Sequence, residues 1–154
     1  MNKPSLKLVT GGQTGVDRAC LDLAIDFDLD YGGWCPKGRI AEDGIIDRKY
    51  SLIETESENV AVRTELNARD SDGTIVLTIG EPTDGTVLTF QMAMKYKKPL
   101  LLLHLDQEPK KDSFNAWVKD NSIKTLNVAG PRESHLKGQV YNKSYSYLKV
   151  LLDL

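Results

Sequence analysis

Leu6-Lys7-Leu8-Val9-Thr10-Gly11-Gly12-Gln13-Thr14-Gly15-Val16-Asp17-Arg18-Ala19-Cys20 changes its period halfway along, and that change decides how the chain is read. Leu6, Leu8 and Val9 form a short strand pattern that stops at Gly11-Gly12. After Gly15, the apolar residues Val16, Ala19, Cys20, Leu23, Ala24 and Phe27 recur three and four apart, as on one face of a helix. Strand, glycine-rich turn and helix in this order make a place for an anion. Adjacent glycines let the backbone take positive φ and approach a ligand closely. The unpaired N–H groups of the helix's first turn then point at it. Thr14 is placed to cap the helix, with Asp17 three residues later at the carboxylate position of a capping-box variant. A strand–helix turn with no ligand is the plainer alternative.

The chain has 154 residues, the size of one domain, so a single domain over 1–154 is expected. Hydrophobic content of 40% and charged content of 27% are ordinary for a globular protein. A formal net charge of −2 gives no reason to expect a nucleic-acid polymer or a membrane as partner. Cys20 and Cys35 lack metal or redox spacing, and Cys20 lies on the apolar helix face, which favours a buried free thiol. No apolar signal core precedes the first strand, and no run of about 18 apolar residues occurs. A cytoplasmic location is the expectation.

The alternation of strand and helix continues along the chain. Tyr31 to Cys35 reads as a second strand or strand-like turn, and Pro36 to Gly44 as a loop too long and charged for a plain connector. On it, Lys37 and Arg39 can reach an anionic ligand, with Trp34 as a flat aromatic face. A solvated loop anchored by Trp34 is an equal alternative. Tyr50 to Glu56 is ambiguous. A helix is expected over Asn59 to Arg69, with Val60, Val62, Leu66 and Ala68 on its apolar side. Thr74 to Ile79 is a β-branched and aliphatic run suited to burial on both faces. It ends at Gly80-Glu81-Pro82-Thr83-Asp84-Gly85-Thr86, and Val87, Leu88, Phe90, Met92 and Met94 give the next helix its apolar side. Pro99 to Leu105 reads as another buried strand and Ser113 to Asn121 as a short helix. Leu126 to Ala129 is a strand that stops at Gly130-Pro131-Arg132-Glu133-Ser134, and a closing helix carries Val140 to Leu152.

This pattern predicts an α/β fold, a doubly wound, mainly parallel sheet with helices on both faces. Ligands bind such sheets outside the carboxyl ends of the strands. The turns Gly11–Gly15, Gly80–Thr86 and Gly130–Ser134 each follow a strand, so a parallel sheet places all three along one rim. Other chemistries lack their signatures. The turn Gly-Gly-Gln-Thr-Gly does not have the G-x-G-x-x-G order of a dinucleotide site, and no Walker loop is present. His104 and His135 lack partners at metal-ligand spacing, and Cys35 has no identifiable base.

Gly11 to Arg18, Gly33 to Arg39, Ala41 to Gly44, Arg69 to Thr74 and Asn127 to Ser134 together resemble the molybdenum cofactor carrier family over nearly the whole chain. That family is similar to the carrier proteins of algae. More distantly it is similar to the Rossmann-like nucleotide-binding superfamily that includes the "lonely guy" phosphoribohydrolases. The resemblance implies a Rossmann-like fold, a homo-oligomer (dimer or tetramer) and a phosphorylated pterin–molybdenum cofactor as ligand. The phosphoribohydrolases carry Pro-Gly-Gly-x-Gly-Thr-x-x-Glu, ending in a catalytic glutamate. In the matching turn Gly85 and Thr86 are kept, but Thr89 stands where the glutamate would be. Their catalytic arginine falls at Arg63, counting back from Asp72. The loss of a general acid–base, worth roughly 10²–10⁴-fold, favours binding without hydrolysis.

The expected function is that of a carrier for a phosphorylated small molecule, with molybdenum cofactor the named candidate. Gly11, Gly12, Gln13, Thr14 and Gly15 are expected to cradle phosphate. Gly85 and Thr86 form a second wall, and Gly130, Arg132 and Ser134 a third. Lys37, Arg39 and Arg63 supply charge, arginine being suited to bidentate phosphate contact. Two alternatives stay open. One is a phosphoribohydrolase-like enzyme using Asp17, Glu42, Asp43 or Asp84. The other is a nucleotide-sensing or scaffold protein whose assembly matters more than turnover.

Overall fold

The computed structural model describes residues 5–154; residues 1–4 of the expected domain lie outside the described residues. The elements run β1 (Lys7–Val9), α1 (Val16–Asp26), β2 (Tyr31–Gly32), β3 (Trp34–Cys35), β4 (Ile40–Ala41), β5 (Gly44–Ile45), β6 (Ile53–Glu54) and α2 (Val60–Arg69). There follow β7 (Gly73–Thr78), α3 (Asp84–Lys95), β8 (Leu100–His104), α4 (Lys111–Asp120), β9 (Thr125–Ala129), a 3₁₀ turn (Glu133–Leu136) and α5 (Val140–Leu151). Five strands form one parallel sheet in the order β2-β1-β9-β7-β8. The last strand in sequence, β9, lies in the middle, with Leu8 beside Leu126 and Ile75 beside Val128. This is the Rossmann-like α/β fold that the alternation predicts.

The two faces of the sheet differ in chemistry. Strand side chains alternate between faces. Leu8, Ile75, Leu77, Leu126 and Val128 therefore join Val16, Cys20 and Leu23 of α1, Phe114 of α4 and Val140, Leu148 and Leu151 of α5 in one apolar core. Under α2 and α3, by contrast, the buried side chains are Arg63, Asn67 and Ala68 from one helix and Thr86, Thr89 and Ala93 from the other. Asn127 donates to Thr74 Oγ1 at 3.2 Å within this polar layer. The apolar stripes expected for the two helices are thus corrected, except at Ala68, which is buried as expected. Val60 is 41% exposed, Val87 48% and Met94 79%, because the helices turn small and polar residues to the sheet.

Three further expectations change. Pro99 to Leu105 is not a buried strand. It contains the edge strand β8, on which Leu102 is 41% exposed. Tyr31 to Cys35 is broken at Gly33, whose φ of 135° sends Trp34–Cys35 away to pair with β6. The loop from Pro36 to Gly44 contains part of a small hairpin, in which Ile40 pairs with Ile45. Cys20 is a buried free thiol, as its place on the apolar helix face suggests, and Cys35 is a buried free thiol too; burial pushes the Cys20 thiol up.

Ser144 on α5 is buried with a hydroxyl that has no hydrogen-bond partner among the described residues. Replacing it by alanine removes an unpaired polar group and improves helix propensity. Ser144→Ala should raise unfolding free energy by about 1 kcal/mol. Urea denaturation showing the variant weaker than wild type would refute this.

Candidate functional site

The turns after β1, β7 and β9 meet at the carboxyl end of the sheet. Gly15, at φ 78°, brings the first turn against the third, and Val16 N–H donates to Pro131 O at 3.2 Å. A ring nitrogen of His135 lies 2.8 Å from Ile79 O, joining the third turn to the second. Between these turns and helices α2 and α3 lies a groove of about 350 Å³, within the range of small-molecule sites.

Its floor is Arg63, projected inward by α2 and only 8% exposed. Arg63 Nη1 donates to Gly11 O at 2.8 Å and Nε to Thr64 Oγ1 at 3.4 Å. Its Nη2 makes no hydrogen bond to a described residue. Asp17 Oδ2 lies 3.9 Å from Nη1 and accepts the Gln13 N–H at 3.2 Å. Burial raises the Asp17 carboxyl above its ordinary value, outweighing the pull of Arg63 and of its hydrogen bonds.

The second wall is the start of α3. Thr83 caps the helix by accepting from Thr86 N at 3.2 Å. Asp84 and Gly85 are the first two helical residues, whose N–H groups have no carbonyl partner in the helix, and both line the groove. The third wall is Gly130, Pro131, Arg132 and Ser134. A side chain at Gly130 would place its Cβ 2.5 Å from Leu77 O and from Val16 Cγ2, so only glycine fits there.

Of the residues expected from sequence, Gly11, Gln13, Arg63, Gly85, Gly130, Arg132 and Ser134 share the groove. Thr14 and Gly15 sit on a second hollow of about 720 Å³ that Ser134 also lines. Gly12 faces the body of the protein, where a Cβ would meet Ile46 and Leu52. Thr86 is buried behind the wall against Thr83. Lys37 and Arg39 line neither hollow. Arg39 spends its guanidinium on the carbonyls of Ile46, Asp47, Tyr50 and Leu52, locking the base of the hairpin loop. Trp34 is an anchor, its Nε1 donating to Asp70 Oδ2 at 2.9 Å.

The cap expected at Thr14 is also corrected. Gly15 is the N-cap of α1 and provides no side chain. Thr14 Oγ1 instead donates to Glu42 and accepts the Glu133 N–H at 3.1 Å. Asn67, Asn127, Thr64, Leu88 and His135 line the groove without having been singled out for it. A signal for Asn67 existed, since Arg63 and Asn67 stand four apart and share a helix face. Asn67 grips Trp34 through both backbone groups, at 2.8 and 3.0 Å.

Two carboxylates fasten the hairpin to the body. Asp43 takes two bonds from Arg18, at 3.0 and 3.2 Å, and that pairing holds its carboxyl below the ordinary value. Burial raises the Glu42 carboxyl, but hydrogen bonds from Thr14 and Ser134 and the Arg132 charge outweigh it, so the net shift is downward. Depressed values in the folded state mean that these ties are fully present above the unfolded pKa and are lost as pH falls through the folded one. The amide resonances of residues 41–45 should therefore move together only below about pH 4. A transition near neutrality would contradict this.

The sequence model of the circularly permutated YpsA SLOG family matches residues 8–152. A crystal structure from Syntrophus aciditrophicus SB, named "putative molybdenum carrier protein", is 41% identical, covers 98% of each chain and superposes with a TM-score of 0.89. No curated protein matches the chain. No helix among the described residues is long and apolar enough to cross a membrane.

Proposed function

The chain belongs to the circularly permutated YpsA SLOG family, and from that premise we propose that it binds and carries a phosphorylated small molecule, with molybdenum cofactor as the cargo. One observation supports the phosphate end above all others. Arg63 is nine-tenths buried and its Nη2 has no hydrogen-bond partner among the described residues, in the same groove that the first residues of α3 line. A buried guanidinium fork and a helix N-terminus are complementary to a phosphate monoester. Gly85 leaves its surroundings open, since a Cβ there would have only Thr83 Oγ1 within 4 Å, at 3.8 Å.

Carriage rather than turnover fits the residue at the glutamate position. Thr89 donates its hydroxyl to Gly85 O at 2.9 Å and brings no carboxyl to the groove. The name of the relative, a molybdenum carrier, supports the identity of the cargo. A cytoplasmic homo-oligomer belongs to the same reading. The sheet ends on the open edge of β8 with Leu102 exposed, a surface suited to a second copy. The test is mass spectrometry of the small molecule that co-purifies with the protein, followed by its titration into emptied protein. A phosphorylated pterin that binds and returns unchanged supports the proposal. Conversion of a nucleoside monophosphate to ribose 5-phosphate would replace it with the enzyme reading.

A further inference from the structure

We propose that the hairpin Ile40–Ile45 is a latch, and that Glu42 holds the third wall of the groove until an anionic ligand takes its place. The inference rests on the phosphate-binding reading and adds a regulation of that same groove. Ser134 lines the groove, yet both its donors are already committed: N–H to Glu42 Oε1 at 3.1 Å and Oγ to Glu42 Oε2 at 2.7 Å. Arg132 Nη1, the rim cation, lies 4.0 Å from the same carboxylate. Thr14 Oγ1 donates to it as well. A phosphate drawn into the groove by Arg63 faces, at this wall, a negative charge that occupies the wall's donors.

The hairpin is built to let go. Gly38, at φ 84°, precedes its first strand and Gly44, at φ 115°, follows its tip, and Gly44 has open space where a side chain would be. The four carbonyl bonds of Arg39 hold the base in place. Ile40 is 47% and Ile45 79% exposed, so little apolar burial beyond Ala41 fastens the tip. The Glu42 carboxylate, the Asp43–Arg18 pair and the Glu42 N–H donated to Gln13 Oε1 at 2.9 Å fasten the tip, and an anion in the groove competes with Glu42 for its donors. Ser134, which Glu42 holds, lines both the groove and the hollow beside Thr14 and Arg18, so release of Glu42 frees donors that the two share.

The test uses inorganic phosphate as probe on the whole chain, wild type and Glu42→Gln, by calorimetry and amide hydrogen exchange. The glutamine keeps the shape of the latch and removes its charge. Phosphate should bind the variant roughly tenfold more tightly than wild type, and saturating phosphate should speed exchange at residues 41–45 of wild type several-fold. Equal or weaker binding by a folded Glu42→Gln overturns the latch while leaving the groove reading intact. Unchanged exchange in phosphate-saturated wild type overturns it without any variant. Phosphate binding to neither protein overturns both.

Discussion

Gly15→Ala should destabilise the fold by about 3–5 kcal/mol, which for a chain of this size lowers the melting temperature by roughly 10 °C or more. Two penalties add. The residue sits at φ 78°, ψ −124°, a conformation that side chains avoid. A Cβ there would also lie 2.5 Å from Pro131 O and 2.8 Å from Arg132 C and Glu133 N, all of them backbone atoms. Backbone cannot rotate aside as a lysine tip can, so the third turn must shift as a unit. Gly85→Ala is the matched control, because its Cβ has open space and an ordinary helical backbone. It should fold within about 0.5 kcal/mol of wild type. If Gly15→Ala melts like Gly85→Ala, the two turns do not pack as described.

Arg63→Ala should abolish phosphate binding, with a loss of roughly 100-fold or more. The side chain fills the space above Gly11, where its Cδ and Nη1 come within 2.7 Å of a hypothetical Cβ, and no neighbouring cation replaces it on the floor. Its removal also takes away a charge that lowers the Asp17 carboxyl, so the Asp17 carboxyl moves further up. Arg63→Lys separates the two roles. It keeps a charge but not the fork, and should bind phosphate more weakly than wild type and better than alanine. Calorimetry with inorganic phosphate measures all three. Equal affinities would show that the buried guanidinium is structural only.

The fold was legible because periodicity carries it. The shift from the Leu6–Val9 strand to the helical spacing after Gly15, and the unbroken run from Thr74 to Ile79, need no tertiary information. The convergence of three turns was legible for the same reason, since a parallel sheet puts every strand's carboxyl end on one side. The faces of α2 and α3 were not. An apolar residue in a helix is normally read as inward, but here Val60, Val87 and Met94 face outward while Arg63 and Asn67 are buried. Only the placement of α2 against the Gly11 carbonyl and the Trp34 backbone explains that choice. Arg39 misled in the opposite direction. A charged residue in a glycine-bearing loop suggests a ligand, whereas its guanidinium ties four carbonyls of its own loop. Sequence spacing likewise could not show Glu42 reaching Ser134, 92 residues away.

The most direct test of the groove is a crystal structure of the protein with a phosphorylated pterin bound. The phosphate is expected within hydrogen-bond distance of Arg63 Nη2 and the amide nitrogens of Asp84 and Gly85, with the rings extending along the wall of Gly130 and Arg132. A phosphate held elsewhere, with no bond to Arg63 Nη2, would contradict the account.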